Sequence, residues 1–207
     1  MIYGMMTSIK MIETIRTKNR ERRMDRIQLE RQLPQFPWED DSFQRRACVE
    51  AAIEKFNVDE VYLIEKRLSE RCICARFAIY LENEVRKRFS VDYVADVEYN
   101  RGADGDEYLQ KVLHGERIYP DLIVHKRGYD PVIGYDNMIC IEMKKQEDCR
   151  GLGSDQRRLR ALTYMGPGGP GFVYRSGFMI VIHKKPKGLK IESEYVNGIL
   201  VDKSKRT

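Results

Sequence analysis

Nowhere in this chain of 207 residues does an uninterrupted apolar run approach the roughly 18 to 20 residues that a membrane-crossing helix requires. The opening MIYGMMTSIK also lacks the order of basic, apolar and small-residue regions that marks a secretory leader. Both absences lead to the expectation of a cytoplasmic protein with no membrane partner. Cysteine is uninformative in the same direction. Cys48, Cys72, Cys74, Cys140 and Cys149 are an odd number, and no two stand at the C-x-x-C spacing of a zinc or redox site. Cys72 and Cys74 are two apart, which on a helix sends their side chains in different directions. Buried thiols are therefore expected. No internal repeat divides the chain, and no recognition helix or base-reading motif is evident.

What is present suits one sizeable core, since 42% of the residues are hydrophobic and the length is that of a single domain with an appendage. The net charge of +5 stands on a charged fraction of 33%, so polyanion binding is suggested more by clusters than by the total. One cluster is the segment ETIRTKNRERRMDRIQLERQL, rich in helix formers and poor in apolar positions. It reads as a solvated or partner-dependent helix, with a phosphate-contacting arm or an oligomerisation helix as alternatives. Pro34 and Pro37 interrupt any helix after it. The expected division is a basic helical extension over 1–40 and a larger domain over 41–207.

Within that domain, DSFQRRACVEAAIEKF predicts a short amphipathic helix with Ser42 as N-cap and Phe43, Ala47, Ala51 and Ala52 or Ile53 on one side. A longer helix is predicted over 59–89, where Ile73, Phe77, Leu81 and Val85 form one apolar stripe. Glu70 stands in line with the stripe, and a core-facing carboxylate needs a partner. Four segments have strand character: VDYVADVEYNR, RIYPDLIVHKR, NMICIEMKK and GFMIVIHKK. Between the last two, SDQRRLRALTYM predicts a helix capped by Ser154, with Leu159 and Leu162 on its apolar side. GFMIVIHKK is apolar through its middle and reads as an interior strand, hence an α/β layer structure. RGADGDEYLQKVLHGE and MGPGGPG read as loops.

Residues two apart in a strand face the same side. NMICIEMKK therefore puts Glu142 and Lys144 together, and an isolated E-x-K of this kind is usually an ion pair at a sheet edge. The preceding strand changes the balance. Pro120 begins it and Asp121 directly precedes the apolar run Leu122, Ile123, Val124. If the two strands pair, Asp121 lies beside Glu142, and two carboxylates that close repel unless a cation sits between them. Mg²⁺ prefers carboxylate oxygens, waters and phosphate oxygens. A lysine beside it can position or deprotonate a water, or neutralise charge on phosphorus.

PDLIV followed after a hairpin-length gap by ICIEMKK resembles the PD-(D/E)XK nuclease superfamily, over roughly residues 68–185. The resemblance implies a restriction-endonuclease-like αβββαβ core, α/β in class, with a mixed central sheet flanked by helices. It implies that Asp121 and Glu142 bind Mg²⁺, with Mn²⁺ as a substitute, and that Lys144 assists the attacking water. Many members add an acid from the first core helix, and Glu70 fits that role as a third metal ligand, its alternative being a surface salt bridge to Arg71 or Lys66. Asp155 and Arg158 resemble the acid and base that several branches carry at the start of the next helix. Arg158, Lys145 and Arg157 are expected at the nucleic acid, although Arg157 and Arg160 face away from the apolar side. His125 has no matching role and is assigned, like Lys145, to solvent or phosphate contact. DNA is the favoured partner because most of the superfamily acts on it, and a homodimer is an arrangement many members adopt.

Two other readings compete: a non-catalytic nucleic-acid-binding module retaining the fold, and a scaffold whose basic N-terminal helix binds an acidic partner. The late basic residues Lys184, Lys185, Lys187 and Lys190, with Lys144, Lys145, Arg150, Arg157, Arg158 and Arg160, would hold nucleic acid through phosphates, with little sequence choice.

Overall fold

The computed structural model describes residues 40–100, 112–113, 115–127, 137–164 and 173–202, without the side chains of Asp40, Val112, Cys149 and Arg150. The expected N-terminal basic helix, most of the first long loop, and the Gly- and Pro-rich linker lie outside these residues.

Helix α1 (Asp40–Asp59) is longer than its apolar pattern predicts and turned differently. Cys48, Val49, Ala52, Ile53 and Phe56 are buried, whereas Phe43 is 78% exposed. Steps of three and four from Cys48 define this face, and Phe56 fixes it by edge-on ring contacts with Phe77 and Tyr80 at 6.0 and 5.9 Å.

The single helix expected over 59–89 is two. A short α2 (Val61–Glu65) ends in a turn where Arg67 adopts φ 56°. Ser69 then caps α3 (Glu70–Arg88), its Oγ accepting from the Cys72 N–H at 3.2 Å. Ile73, Phe77, Leu81 and Val85 are buried as their spacing predicts. Arg86, Lys87 and Arg88 in the last turn suit the negative end of the helix dipole. The break places Glu70 in the first turn of α3, at a helix end instead of inside a long helix.

Strands β1 (Tyr93–Val97), β4 (Leu122–Lys126), β5 (Asn137–Lys145) and β6 (Ser176–Lys184) are the four expected segments. β2 (Val112–Leu113) and β3 (Glu116–Arg117) form a small antiparallel ribbon where the sequence suggests only loop, turning at Gly115 with φ 85°. β7 (Lys187–Val196) and β8 (Ile199–Leu200) extend the main sheet beyond the last strand expected. KGLKIESEYV carries four charged residues, which dilute its strand signal.

The main sheet runs β1-β4-β5-β6-β7-β8. Its pairs are antiparallel except β5 with β6, so it is mixed. That parallel pair needs a crossover, supplied by a 3₁₀ segment (Gln146–Gly151) and helix α4 (Leu152–Thr163). One core lies between the sheet and α1, α2 and α3, and a smaller one lies between the sheet and α4. The result is a six-stranded mixed sheet flanked by helices. Among the described residues, no helix is long and apolar enough to cross a membrane.

Cys48, Cys74 and Cys140 are buried free thiols as expected, but Cys72 is exposed. With Ile73 and Cys74 turned to the core, the helix period leaves Cys72 facing water.

Candidate functional site

Strand β5 serves both cores. Ile139, Ile141 and Met143 join the core beneath α1 and α3, while Cys140 joins the core beneath α4. The period of two therefore puts Glu142 and Lys144 on the α4 side. On β4, Leu122 is paired with Ile141 and Ile123 with Cys140. One more step of the same antiparallel register brings Asp121 level with Glu142. Asp121 Oδ2 accepts the Met143 N–H at 2.7 Å, so the carboxylate is latched to the β5 backbone.

Helix α4 closes the site from above. Arg158 donates through Nη1 to Glu142 Oε1 at 2.9 Å and through Nη2 to Asp155 Oδ1 at 3.0 Å. Lys144 Nζ stands 3.5 Å from Asp155 Oδ2 and 3.9 Å from Glu70 Oε2. Asp155 Oδ2 is buried and has no hydrogen-bond partner of good geometry; the Lys144 approach is an ion pair at the limit of hydrogen-bond distance. Glu70 reaches in from the opposite helix layer, where its Oε1 accepts the Lys145 N–H at 2.7 Å.

Glu142 is only 2% exposed. Its burial, followed by the charge of Asp121, pushes its carboxyl well above the ordinary glutamate range, against the pull of Arg158. Asp121 is also raised, first by burial; the Met143 N–H and Lys144 oppose this, and Asp155 and Glu70 add to it. For Lys144, burial works downward, but Asp155, Glu70 and Asp121 together carry its ammonium above the usual lysine value. Cys74 donates to the Asp121 carbonyl at 3.4 Å. Its burial and the surrounding Asp121, Glu142 and Glu70 carboxylates raise the thiol, which makes it no nucleophile.

The structure thus brings together Asp121, Glu142, Lys144, Glu70 and Arg158. It adds Asp155, whose place beside Leu159 and Leu162 on the inner face of α4 was its sequence signal. Arg157 is exposed and joins none of these contacts. Lys145 enters through its backbone N–H. His125 departs from expectation: it is 4% exposed, its Nε2 lies 2.8 Å from Asp96 Oδ2, and its ring packs tilted at 53° against Tyr99 with centroids 4.6 Å apart. A ring so enclosed by β1 and its neighbours belongs to the core and not to solvent or phosphate.

Four carboxylates, Glu70, Asp121, Glu142 and Asp155, face two cationic side chains, Lys144 and Arg158. Two negative charges remain when all are ionised, and one buried carboxylate oxygen lacks a hydrogen bond. Hard oxygen donors with that residual charge fit a divalent cation of the Mg²⁺ class. Among the described residues, no three acidic, histidine or cysteine groups already stand in a metal-binding arrangement. Arg158 holds Glu142 in a pair that a cation would have to displace.

No protein-family model matches the chain, and no curated protein matches it. Two solved structures align with it. NucC of E. coli MS115-1, in its cAAA-bound form, aligns at TM-score 0.29 and 9% identity over 77% of this chain and 84% of that one. NucC of P. aeruginosa ATCC27853, also cAAA-bound, aligns at TM-score 0.28 and 8% identity over 76% and 84%. Likenesses this low carry no argument about the site.

Proposed function

We propose that this chain is a divalent-metal-dependent nuclease of the PD-(D/E)XK kind, hydrolysing phosphodiester bonds with Mg²⁺ or Mn²⁺, and that DNA is its substrate. One observation carries the proposal: Asp121 and Glu142 stand side by side across β4 and β5 with their carboxyls raised, and Lys144 follows on the same strand face. Two neighbouring carboxylates in a partly dry site are held at a cost unless a cation joins them.

Asp121, Glu142 and Glu70 would hold the ion. When bound, a divalent cation supplies Lewis acidity toward a phosphate oxygen and toward an attacking water. In the metal-free site Asp155, Glu70 and Asp121 hold the Lys144 ammonium above the usual lysine value, a charge that would stabilise the anionic phosphorus centre. Asp155 and Glu70 aim that ammonium from two sides. Lys145 and Arg157, at or near the outer surface, would contact phosphates.

A second assignment is favoured by a specific contact. Arg158 already pairs with both Glu142 and Asp155 without metal, as suits a nucleic-acid-binding module that keeps the fold without catalysis. The two separate on a panel of linear, nicked, single-stranded and branched DNA and of RNA, with Mg²⁺, Mn²⁺ or EDTA, comparing the natural protein with Glu142→Gln. Cleavage that needs both metal and Glu142 is the expected outcome. Salt-sensitive binding with no cleavage on any substrate would transfer the assignment to the binding module.

A further inference from the structure

At the same end of β5, on its other face, lies a second feature with its own chemistry. Lys145 is the last residue of β5 and pairs with Ile182 of the parallel strand β6. Its side chain points to the face opposite Lys144, toward α2 and α3. There Ile64, Leu68, Ile73 and Ile182 floor a shallow surface depression open to solvent, and Arg67, Lys145, Glu147 and Lys184 rim it. The floor belongs to the core, with Ile64, Ile73 and Ile182 at 5%, 1% and 4% exposure.

The rim is unbalanced. Glu147 pairs with Lys184. The Lys184 bond first, then the charges of Lys145 and Arg67, hold its carboxyl below the usual range. Three cations thus converge on one carboxylate, which leaves a net positive rim over an apolar floor. Arg67 owes its position to the left-handed turn between α2 and α3. The depression opens at the carboxyl ends of the one parallel strand pair, where ligands of open α/β sheets gather. Glu70, accepting the Lys145 N–H at 2.7 Å, separates it from the carboxylate site.

We infer that this basic rim is a phosphate subsite for a bound DNA strand, in which Arg67, Lys145 and Lys184 take the phosphate next to the reacting one. The inference rests on the nuclease proposal, since Lys144 and Lys145 project to opposite sides of one strand and so address neighbouring positions of a polymer crossing its end. Glu147 occupies the phosphate position when no strand is bound, pairing with the cation that would otherwise be free. Phosphate contact of this kind supplies affinity and salt dependence without sequence choice.

The test is fluorescence anisotropy with a fluorescein-labelled oligodeoxythymidylate of about 15 nucleotides, titrated with NaCl in EDTA and again with Ca²⁺. The variants are Arg67→Gly/Lys184→Ala, Glu147→Gln and, as a control in the last turn of α3, Lys87→Ala. Glycine takes the φ of 56° at position 67 without strain, so its variant loses a charge and not the turn. Losing this one single-strand phosphate contact should flatten the salt slope by roughly 0.7 and weaken binding by roughly 3- to 10-fold at about 0.1 M salt. Glu147→Gln should tighten binding, and Lys87→Ala should leave the slope alone. An unchanged slope in the double variant, or an equal loss in Lys87→Ala, overturns the subsite. If the natural protein cleaves through Glu142 while the double variant binds normally, only the subsite falls. If it neither binds nor cleaves, the nuclease proposal falls with it.

Discussion

Arg158 donates to Glu142 Oε1 at 2.9 Å from one turn beyond Asp155, and the same guanidinium bonds Asp155 Oδ1 at 3.0 Å. One side chain is thus the counter-charge of two carboxylates that are 2% and 4% exposed. Breaking a buried pair from one side leaves the remaining charge uncompensated. Arg158→Ala should therefore lower stability without metal by about 2 to 3 kcal/mol, toward the low end for buried pairs because Arg158 itself is partly in water. Mg²⁺ should then raise the melting temperature of the variant more than that of the natural protein. Equal melting temperatures with equal metal shifts would show that Arg158 is not the stand-in cation.

Asp121→Asn removes ligand charge but keeps an oxygen able to accept the Met143 N–H. Metal-dependent hydrolysis should fall by at least about 10²-fold, equivalent to some 3 kcal/mol of lost transition-state stabilisation. The circular dichroism spectrum should be unchanged. Hydrolysis at the natural rate would remove Asp121 from the site.

Lys144→Ala should reduce turnover by about 10²- to 10⁴-fold while Mg²⁺ binding, read by calorimetry, survives. The pH profile separates its roles. With its ammonium raised above the usual lysine value, Lys144 should stay protonated through neutral pH, so the natural rate should not climb with a lysine-like midpoint between pH 6 and 8. Such a climb, lost in Lys144→Arg, would make Lys144 a general base; one that persists in that variant belongs to the raised carboxyl of Glu142.

Glu84 gives a stability prediction away from the site. It is 4% exposed, and burial, which works upward, is outweighed by hydrogen bonds from Lys55, Lys87 and Arg88 that bring its carboxyl down to about 2. A depressed carboxyl contributes stability that is complete above its unfolded value near 4.5 and is lost as pH falls toward 2. Lys55 and Lys87 are at least half exposed, so solvent screening limits the contribution to about 2 kcal/mol. Glu84→Gln should lose that amount at pH 7 and little at pH 2, by denaturant titration. An equal loss at both pH values would assign the effect to packing.

The elements that were legible in the sequence are those whose period is strong. Ile73, Phe77, Leu81 and Val85 announce the buried face of α3, and the apolar runs of β4, β5 and β6 announce interior strands. Others were hidden for identifiable reasons. The charges in KGLKIESEYV mask β7, because Lys187, Lys190 and Glu192 face outward and Glu194 is buried against Arg46, while Leu189 and Tyr195 turn inward. The α2–α3 break depends on Arg67 accepting a left-handed φ, which no helix-propensity sum foretells. Phe43 misled because a large apolar side chain in a first turn need not meet a covering layer.

By itself the sequence determined the alternation that sends Glu142 and Lys144 to one face of β5, since a strand's period of two is local covalent geometry. It also determined that Asp155 shares a side of its helix with Leu159 and Leu162. Tertiary structure alone decided the rest. Register across β4 and β5 sets Asp121 level with Glu142, and the packing of α4 carries Arg158 onto Glu142 across 16 positions of chain. The break before α3 brings Glu70 to the Lys145 N–H across 75. Proximity across such distances depends on how layers stack, and the charge balance of the site, with its raised carboxyls, exists only once they have stacked.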